Sequence, residues 1–259
     1  MDFLIEYKTL WVAMTFLLLF GLERIFPARP ARPFSKRVAR NLGFWPINIA
    51  LSLIVILNVT YWASGHALWH RPAVWNGGWL ILGDIIILDL FLYFWHRAVH
   101  RIDFLWRFHA VHHIDRHLDT TSAIRFHFGE IFFAAFVRAI IIMAFAIPFS
   151  SVIIFETLVL MFTLFHHSNL GLPDAMDRIL SKVIVTPGIH WVHHHTDVRD
   201  RNGNYATLFS LWDPIFRSQS RIKRSRDVEL GIAGVKDQPI TGLITQPFRK
   251  QPRIDSEMG

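Results

Sequence analysis

The chain has 259 residues, 52% of them hydrophobic, with 23 Phe, 10 Trp and a net charge of +7. Such a composition belongs to a membrane protein and not to a soluble domain of this length. Cysteine is absent, which excludes disulfides, Cys-ligated zinc and thiolate-bound clusters, so any metal site must be built from His and carboxylate. The basic residues lie beside apolar segments, where orientation in a bilayer accounts for them, and no nucleic-acid partner is expected.

Residues 9–22 form a first apolar run, TLWVAMTFLLLFGL, preceded by Asp2 and Glu6 and followed by ERIFPARP. A cleaved secretory signal requires a positive start and a small-residue cleavage site, so a retained transmembrane helix is expected. The basic connector over residues 24–40 carries Arg24, Arg29, Arg32, Lys36, Arg37 and Arg40 with three prolines, and is expected to start nothing regular. Residues 42–63 are long enough to span, because about 20 apolar residues cross the hydrocarbon. The connector after them carries only Arg71. A third run, residues 79–95, contains Asp84 and Asp89, which are costly in lipid unless they face protein, water or metal.

From Arg97 to Glu130 the chain turns polar and histidine-rich, with five arginines. Residues 131–165 return to apolar character and are broken at Pro148 and Ser150–Ser151 into a helical hairpin. Arg138 and Glu156 lie inside it and are expected to face the interior, where they are able to pair. The connectors carry six, one and five positive charges in turn, an in–out–in alternation. On that pattern the N-terminus faces outward and the histidines face the cytoplasm. Beyond Ser168 the chain is polar, with a basic run over residues 221–226. The last thirty or so residues lack apolar periodicity and are expected to form a loosely ordered tail.

The expected fold is therefore all-α: an integral membrane bundle of about five transmembrane helices with a cytoplasmic, histidine-rich helical cap. Residues 1–84 are expected to form the N-terminal transmembrane region with its basic connector, 85–217 the histidine-bearing domain, and 218–259 a polar basic tail.

Of the 15 histidines, 13 fall between His96 and His195. His96 and His100 stand at i and i+4, so both imidazoles leave one helix face and can reach one ion. Asp89 and Tyr93 continue that stripe upstream and are suited to orient the ligand rings by hydrogen bonding. His109, His112 and His113 repeat the device at i, i+3 and i+4, and His190, His193 and His194 repeat it again. One HxxxH is weak evidence; three clusters beside apolar runs point to metal. Eight clustered imidazoles exceed what one ion takes, which implies two ions. Asp197 either orients a ligand or caps a helix, and Arg97 either bonds to the site or marks the interface.

With these boxes in place, the chain resembles the fatty acid hydroxylase and sterol desaturase superfamily of integral-membrane histidine-box di-iron enzymes. The first box is similar to the family's D-x-x-x-Y-x-x-H-R-x-x-H through Asp89, Tyr93, His96, Arg97 and His100. LWRFHAVHH matches the second, TSAIRFHFGE resembles R-x-H-P-x-E, and FHHSN resembles its H-S-N element. TPGIHWVHHHTD resembles the last box, and NYATLFSLWDPIF the N-Y-G and W-D elements that follow it. Phe128, Trp191 and Ala206 depart from the family's usual Pro, Arg and Gly, which bears on substrate detail more than on chemistry.

The resemblance implies a ligand set of His96, His100, His109, His112, His113, His127, His167, His190, His193 and His194, with Asp89, Tyr93, Asp197 and Asn204 behind them. It also implies two iron ions, with zinc a possible substitute in purified protein, O2 as co-substrate, and hydroxylation or desaturation of a fatty acyl, sterol-like or ether lipid. No flavin, haem-domain or iron–sulfur motif is visible, so electrons are expected from a separate cytochrome, ferredoxin or reductase. The rivals are a membrane zinc hydrolase, which lacks HExxH here, and a non-enzymatic bis-histidine haem or metal-binding protein.

Overall fold

The computed structural model describes residues 6–30, 36–72, 78–222 and 228–249. Arg32 of the first connector, most of the basic run at 221–226 and residues 250–259 of the tail lie outside the described residues. Helix α1 (Lys8–Ile25) stops ahead of Pro27, whose fixed φ and missing N–H oppose continuation. Helix α2 (Lys36–Leu51) runs through a π turn at Ser52–Ile56 into α3 (Leu57–Gly65). Then come α4 (Gly78–Arg101), α5 (Asp103–His113) and the hairpin of α6 (Phe128–Phe145) and α7 (Phe149–His167). Shorter helices follow: α8 (Asp174–Leu180), α9 (Pro187–His193), α10 (Val198–Arg201), α11 (Trp212–Ile215) and α12 (Ile240–Thr245). Among the described residues only isolated β-bridges occur, so the fold is an all-helical membrane bundle.

Four helical stretches are long and apolar enough to cross a membrane: Lys36–Gly65, Trp79–Arg101, Phe128–Phe145 and Phe149–His167. The expected fifth, α1, has 18 residues but carries Lys8, Glu23 and Arg24, so it falls outside that description. Two of those charges serve inside the bundle. Lys8 Nζ lies 3.1 Å from Glu156, which also holds Arg138 at 2.7 Å, so Arg138 and Glu156 pair and recruit α1. Glu23 accepts from the Thr120 amide and hydroxyl and from the Asn169 amide, at 2.8–2.9 Å. The large exposed side chains, Leu17, Leu53, Ile54, Phe136, Ile140 and Leu160 among them, are apolar and lie on the outside of the bundle, where lipid would cover them.

The α6–α7 turn is closed by Ala146 in the left-handed region (φ 51°), with the Ile147 amide bonded back to Ile142. Pro148 then starts α7. At the same end Arg71 joins buried Asp84 to the Phe145 carbonyl, which satisfies one of the two intramembrane acids.

Two expectations fail for a shared reason, that buried partners override weak local propensity. The basic connector does begin a helix at Lys36, because Arg37 is buried against Asp115 and Asp119 and the His117 carbonyl. The tail is not loose over 228–249: Leu243 is fully buried with Phe44 and Ile232, worth about 1.5–3 kcal/mol for one such side chain.

Candidate metal centre

The clustered histidines meet because four helices end at one place. His100 closes α4, His112 and His113 close α5, His166 and His167 close α7, and His190 and His193 close α9. A helix C-terminus carries about half a negative charge, so four of them together favour cations between them. Ile102, extended at φ −102° and ψ 111°, is the single residue that turns α5 back on α4. Pro187 at the first turn of α9 is pre-set for a helix start, which places His190, His193 and His194 on one face.

The rings sort into two buried groups, His96, His100, His109, His113 and His193 in one, and His112, His167, His190 and His194 in the other. Within each group the donor nitrogens all lie within 4.8 Å of one another. The groups touch: the rings of His113 and His194 stack at 4.2 Å, and those of His112 and His194 stand 4.6 Å apart.

Hydrogen bonding decides what these nitrogens can do. A backbone carbonyl only accepts, so a ring nitrogen bonded to one carries its proton there. His112 Nδ1 donates to the Arg125 carbonyl (3.3 Å) and His167 Nδ1 to the Thr163 carbonyl (2.8 Å). Their Nε2 atoms face each other at 2.9 Å with no proton between them when both rings are neutral. Burial, reinforced by the neighbouring imidazoles, holds His112, His113, His190, His193 and His194 well below the ordinary histidine range, so protonation is no remedy. Two lone pairs aimed at one point make a donor pair that a metal ion would satisfy. Metal–nitrogen bonds of about 2.1 Å put neighbouring octahedral donors about 3.0 Å apart. The four Nε2–Nε2 separations recorded here, 2.9, 2.9, 3.1 and 3.1 Å, have that spacing.

The residues behind the rings differ from those expected. His96 Nδ1 donates to the Tyr205 carbonyl and His193 Nδ1 to the Gly203 carbonyl, each at 2.7 Å, while His109 Nδ1 is held by Glu130 at 2.9 Å. Asn204 contributes through its backbone: its left-handed φ of 53° aims the carbonyls on either side of it at two rings. Gly203 is needed beside it, since a Cβ there would meet the Ser218 carbonyl at 2.8 Å. Asp89 bonds to no ring; it accepts from the Leu208 and Phe209 amides and the Trp212 indole and so folds the loop that delivers those carbonyls. Tyr93 bonds Ser218, and Asp197 caps α10 and pairs with Arg199.

His127 lies in neither group. Its Nδ1 accepts from the Gly129 amide at the start of α6, and its Nε2 donates to the Ile244 carbonyl at 3.1 Å. His195 likewise accepts from the Asp197 amide. His166 is buried with its ring 4.1 Å from that of His190. Sequence reasoning passed over Glu130 as a ring partner, although its place at the start of α6 next to a histidine box was visible. The carbonyls of Gly203, Tyr205, Arg125 and Thr163 leave no trace in residue identity.

A helical membrane bundle whose buried histidines gather into two groups, each able to hold a metal ion, is thus the class of protein that fold and site define. The match to the fatty acid hydroxylase family covers residues 81–218, and the chain belongs to that family. It is 26% identical over 182 residues to an ornithine lipid hydroxylase of Rhizobium tropici, covering 70% of this chain and 54% of the relative. To an alkylglycerol monooxygenase of Caenorhabditis elegans it is 28% identical over 194 residues, 75% of this chain and 35% of the relative. A cholesterol 25-hydroxylase-like protein of Danio rerio is 25% identical over 159 residues, 60% of this chain and 61% of the relative. The chain spans about half the length of the first of these relatives and about a third of the second. No solved structure matches it.

Proposed function

We propose that the chain is a membrane-bound di-iron oxygenase that hydroxylates or desaturates a C–H bond of a lipid, using O2 and electrons supplied from outside. The observation that carries this reading is the all-imidazole donor set, five nitrogens beside four, at helix ends next to lipid-facing surface. Iron bound there would supply O2 activation and the oxidising power to attack an unactivated C–H bond. Nine ligands are proposed: His96, His100, His109, His113 and His193 for one ion, and His112, His167, His190 and His194 for the other. His127 is assigned a structural role.

The chain's own part is to hold and to exclude. Nδ1–H bonds to carbonyls and Glu130 fix five rings with Nε2 inward, and none of the nine is more than 8% exposed, so water is kept from the centre. A fatty acyl, sterol-like or ether lipid is the proposed substrate, in keeping with relatives named for ornithine lipids and alkylglycerols. With no cysteine for an iron–sulfur cluster, the two electrons are assigned to a separate cytochrome, ferredoxin or reductase. The charge alternation of the connectors supports a centre on the cytoplasmic side. The haem alternative fits less well: axial nitrogens across one iron stand about 4 Å apart, twice a metal–nitrogen bond, whereas these pairs stand at 2.9–3.1 Å.

Metal analysis after iron-replete expression tests the centre. About two irons per chain are expected; a Soret band, or a single zinc without iron, overturns the reading. For the reaction, lipid extracts of cells with and without the protein are compared by mass. A lipid class gaining one oxygen or losing two hydrogens is expected, and no change in any class counts against the activity.

A further inference from the structure

The segment 228–249 lies outside the part of the chain that matches the family, yet it bonds directly to the residues that present one of the two histidine groups. Its Asp237 holds the guanidinium of fully buried Arg125 at 2.7 Å. Arg125 in turn donates to the Val111 carbonyl (2.9 Å) and the Asn41 carboxamide (3.3 Å), and its own carbonyl accepts from His112 Nδ1. Farther up the segment, the Gly231 amide donates to the His194 carbonyl at 3.0 Å. Leu230 forms a bridge with His195, the Thr196 amide bonds to the Glu229 carbonyl, and Val228 and Leu230 pack on fully buried Trp191.

Two of these contacts reach His112 and His194, two of the four ligands proposed for one ion, by hydrogen bond: Gly231 directly and Asp237 through Arg125. In the other group Glu130 and the Gly203 and Tyr205 carbonyls bond His109, His193 and His96, and the segment meets that group by packing, with Ile232 and Leu243 in one cluster with Trp106 beside His100, His109 and His113. Arg125 explains why the coupling is tight. It reaches α5, α2 and the segment at once, and it has no exposed surface through which water could replace a lost partner.

We infer that residues 228–249 are a clamp for the His112–His167–His190–His194 ion, with Asp237 the positioning residue that acts on it through Arg125. This rests on the two-ion reading above. The clamp makes the two sites unequal: His112 and His194 of one ion are hydrogen-bonded to Arg125 and to the segment, whereas the ligands of the other meet the segment only by packing. Removing a partner behind a ligand lowers metal affinity by about 10–100-fold, and an effect relayed through a second residue belongs at the lower end.

The test is iron stoichiometry and release to a chelator, followed on purified wild type, Asp237→Asn, Asp237→Glu and Gly231→Ala. Gly231→Ala strikes the clamp by an independent route, since φ is +113° there and a Cβ would meet Arg116 Cγ at 2.9 Å. In wild type, about two irons are expected per chain. Asp237→Asn and Gly231→Ala should each release one of the two about tenfold faster while the other leaves at the wild-type rate, and Asp237→Glu should restore slow release. Helix content and monodispersity in detergent, unchanged across the set, show that the variants fold. Equal loss of both irons, or release unaltered in both Asp237→Asn and Gly231→Ala, overturns the clamp. Wild type holding fewer than two irons overturns the two-ion reading itself, and it does so before any variant is compared.

Discussion

Glu130 takes the Nδ1–H of His109 on one carboxylate oxygen at 2.9 Å, across the turn between α5 and α6. It is the only carboxylate in contact with a ring of either group among the described residues. A carboxylate behind a ligand imidazole fixes the tautomer and raises the basicity of the far nitrogen. Replacing Glu130 with Ala is expected to lower both iron retention and product formation by about 10–100-fold. Glu130→Gln keeps an acceptor in place and should lose less. Iron per chain and turnover measured on the two variants check the order; equal behaviour of Gln and Ala variants contradicts it.

His127 and His193 look alike in sequence terms, each a histidine in a family-like motif, but the structure gives them different surroundings. His193 Nε2 has no hydrogen-bond partner and belongs to the five-member group, whereas both nitrogens of His127 are occupied by backbone. His193→Ala should abolish activity and lower bound iron while membrane insertion persists. His127→Ala should keep about two irons per chain and lose about 1 kcal/mol of stability, the usual cost of a helix N-cap. Iron analysis on the two proteins side by side decides the assignment.

What the sequence showed, and what it hid, follows from where the information resides. HxxxH and HxxHH carry helix periodicity within themselves, so the grouping of His96 with His100 and of His190 with His194 could be read directly. The sorting into five and four could not, because His113 and His112 are neighbours in the chain and fall in different groups. Asp89 was legible as a residue needing a partner, but which partner depended on a loop more than a hundred residues downstream. The segment 228–249 has no periodicity to betray its burial; Asp237 and Leu243 are held by Arg125, Arg40 and Phe44, all remote in sequence.

Acid should unfold the metal-free protein earlier than its composition suggests. His112, His113, His190, His193 and His194 are held well below 6.5 by burial first and by neighbouring imidazoles second. The unfolded chain therefore binds more protons than the folded one once the pH falls below about 6.5. Above that pH both states are neutral at these rings and no difference arises. Below it, each such ring can cost up to about 1.4 kcal/mol per pH unit. Thermal unfolding of chelator-treated protein between pH 7.5 and 5 checks this, and a flat Tm across that range refutes it.

The last prediction concerns the bundle rather than the centre. Glu156 lies between Lys8 at 3.1 Å and Arg138 at 2.7 Å, so one carboxylate is shared by two cations on two other helices. Deleting it as Glu156→Ala leaves both cations without their counter-charge, and breaking a buried pair in this way costs about 3–5 kcal/mol. Arg138 keeps only a 3.3 Å bond to Thr60. Removing all three charges together, as Lys8→Met, Arg138→Met and Glu156→Leu, should cost far less than the single change, because no unpaired charge remains. Unfolding in detergent, followed by helix content, measures both proteins. A triple variant as unstable as Glu156→Ala would show that shape, and not charge balance, is what the position requires.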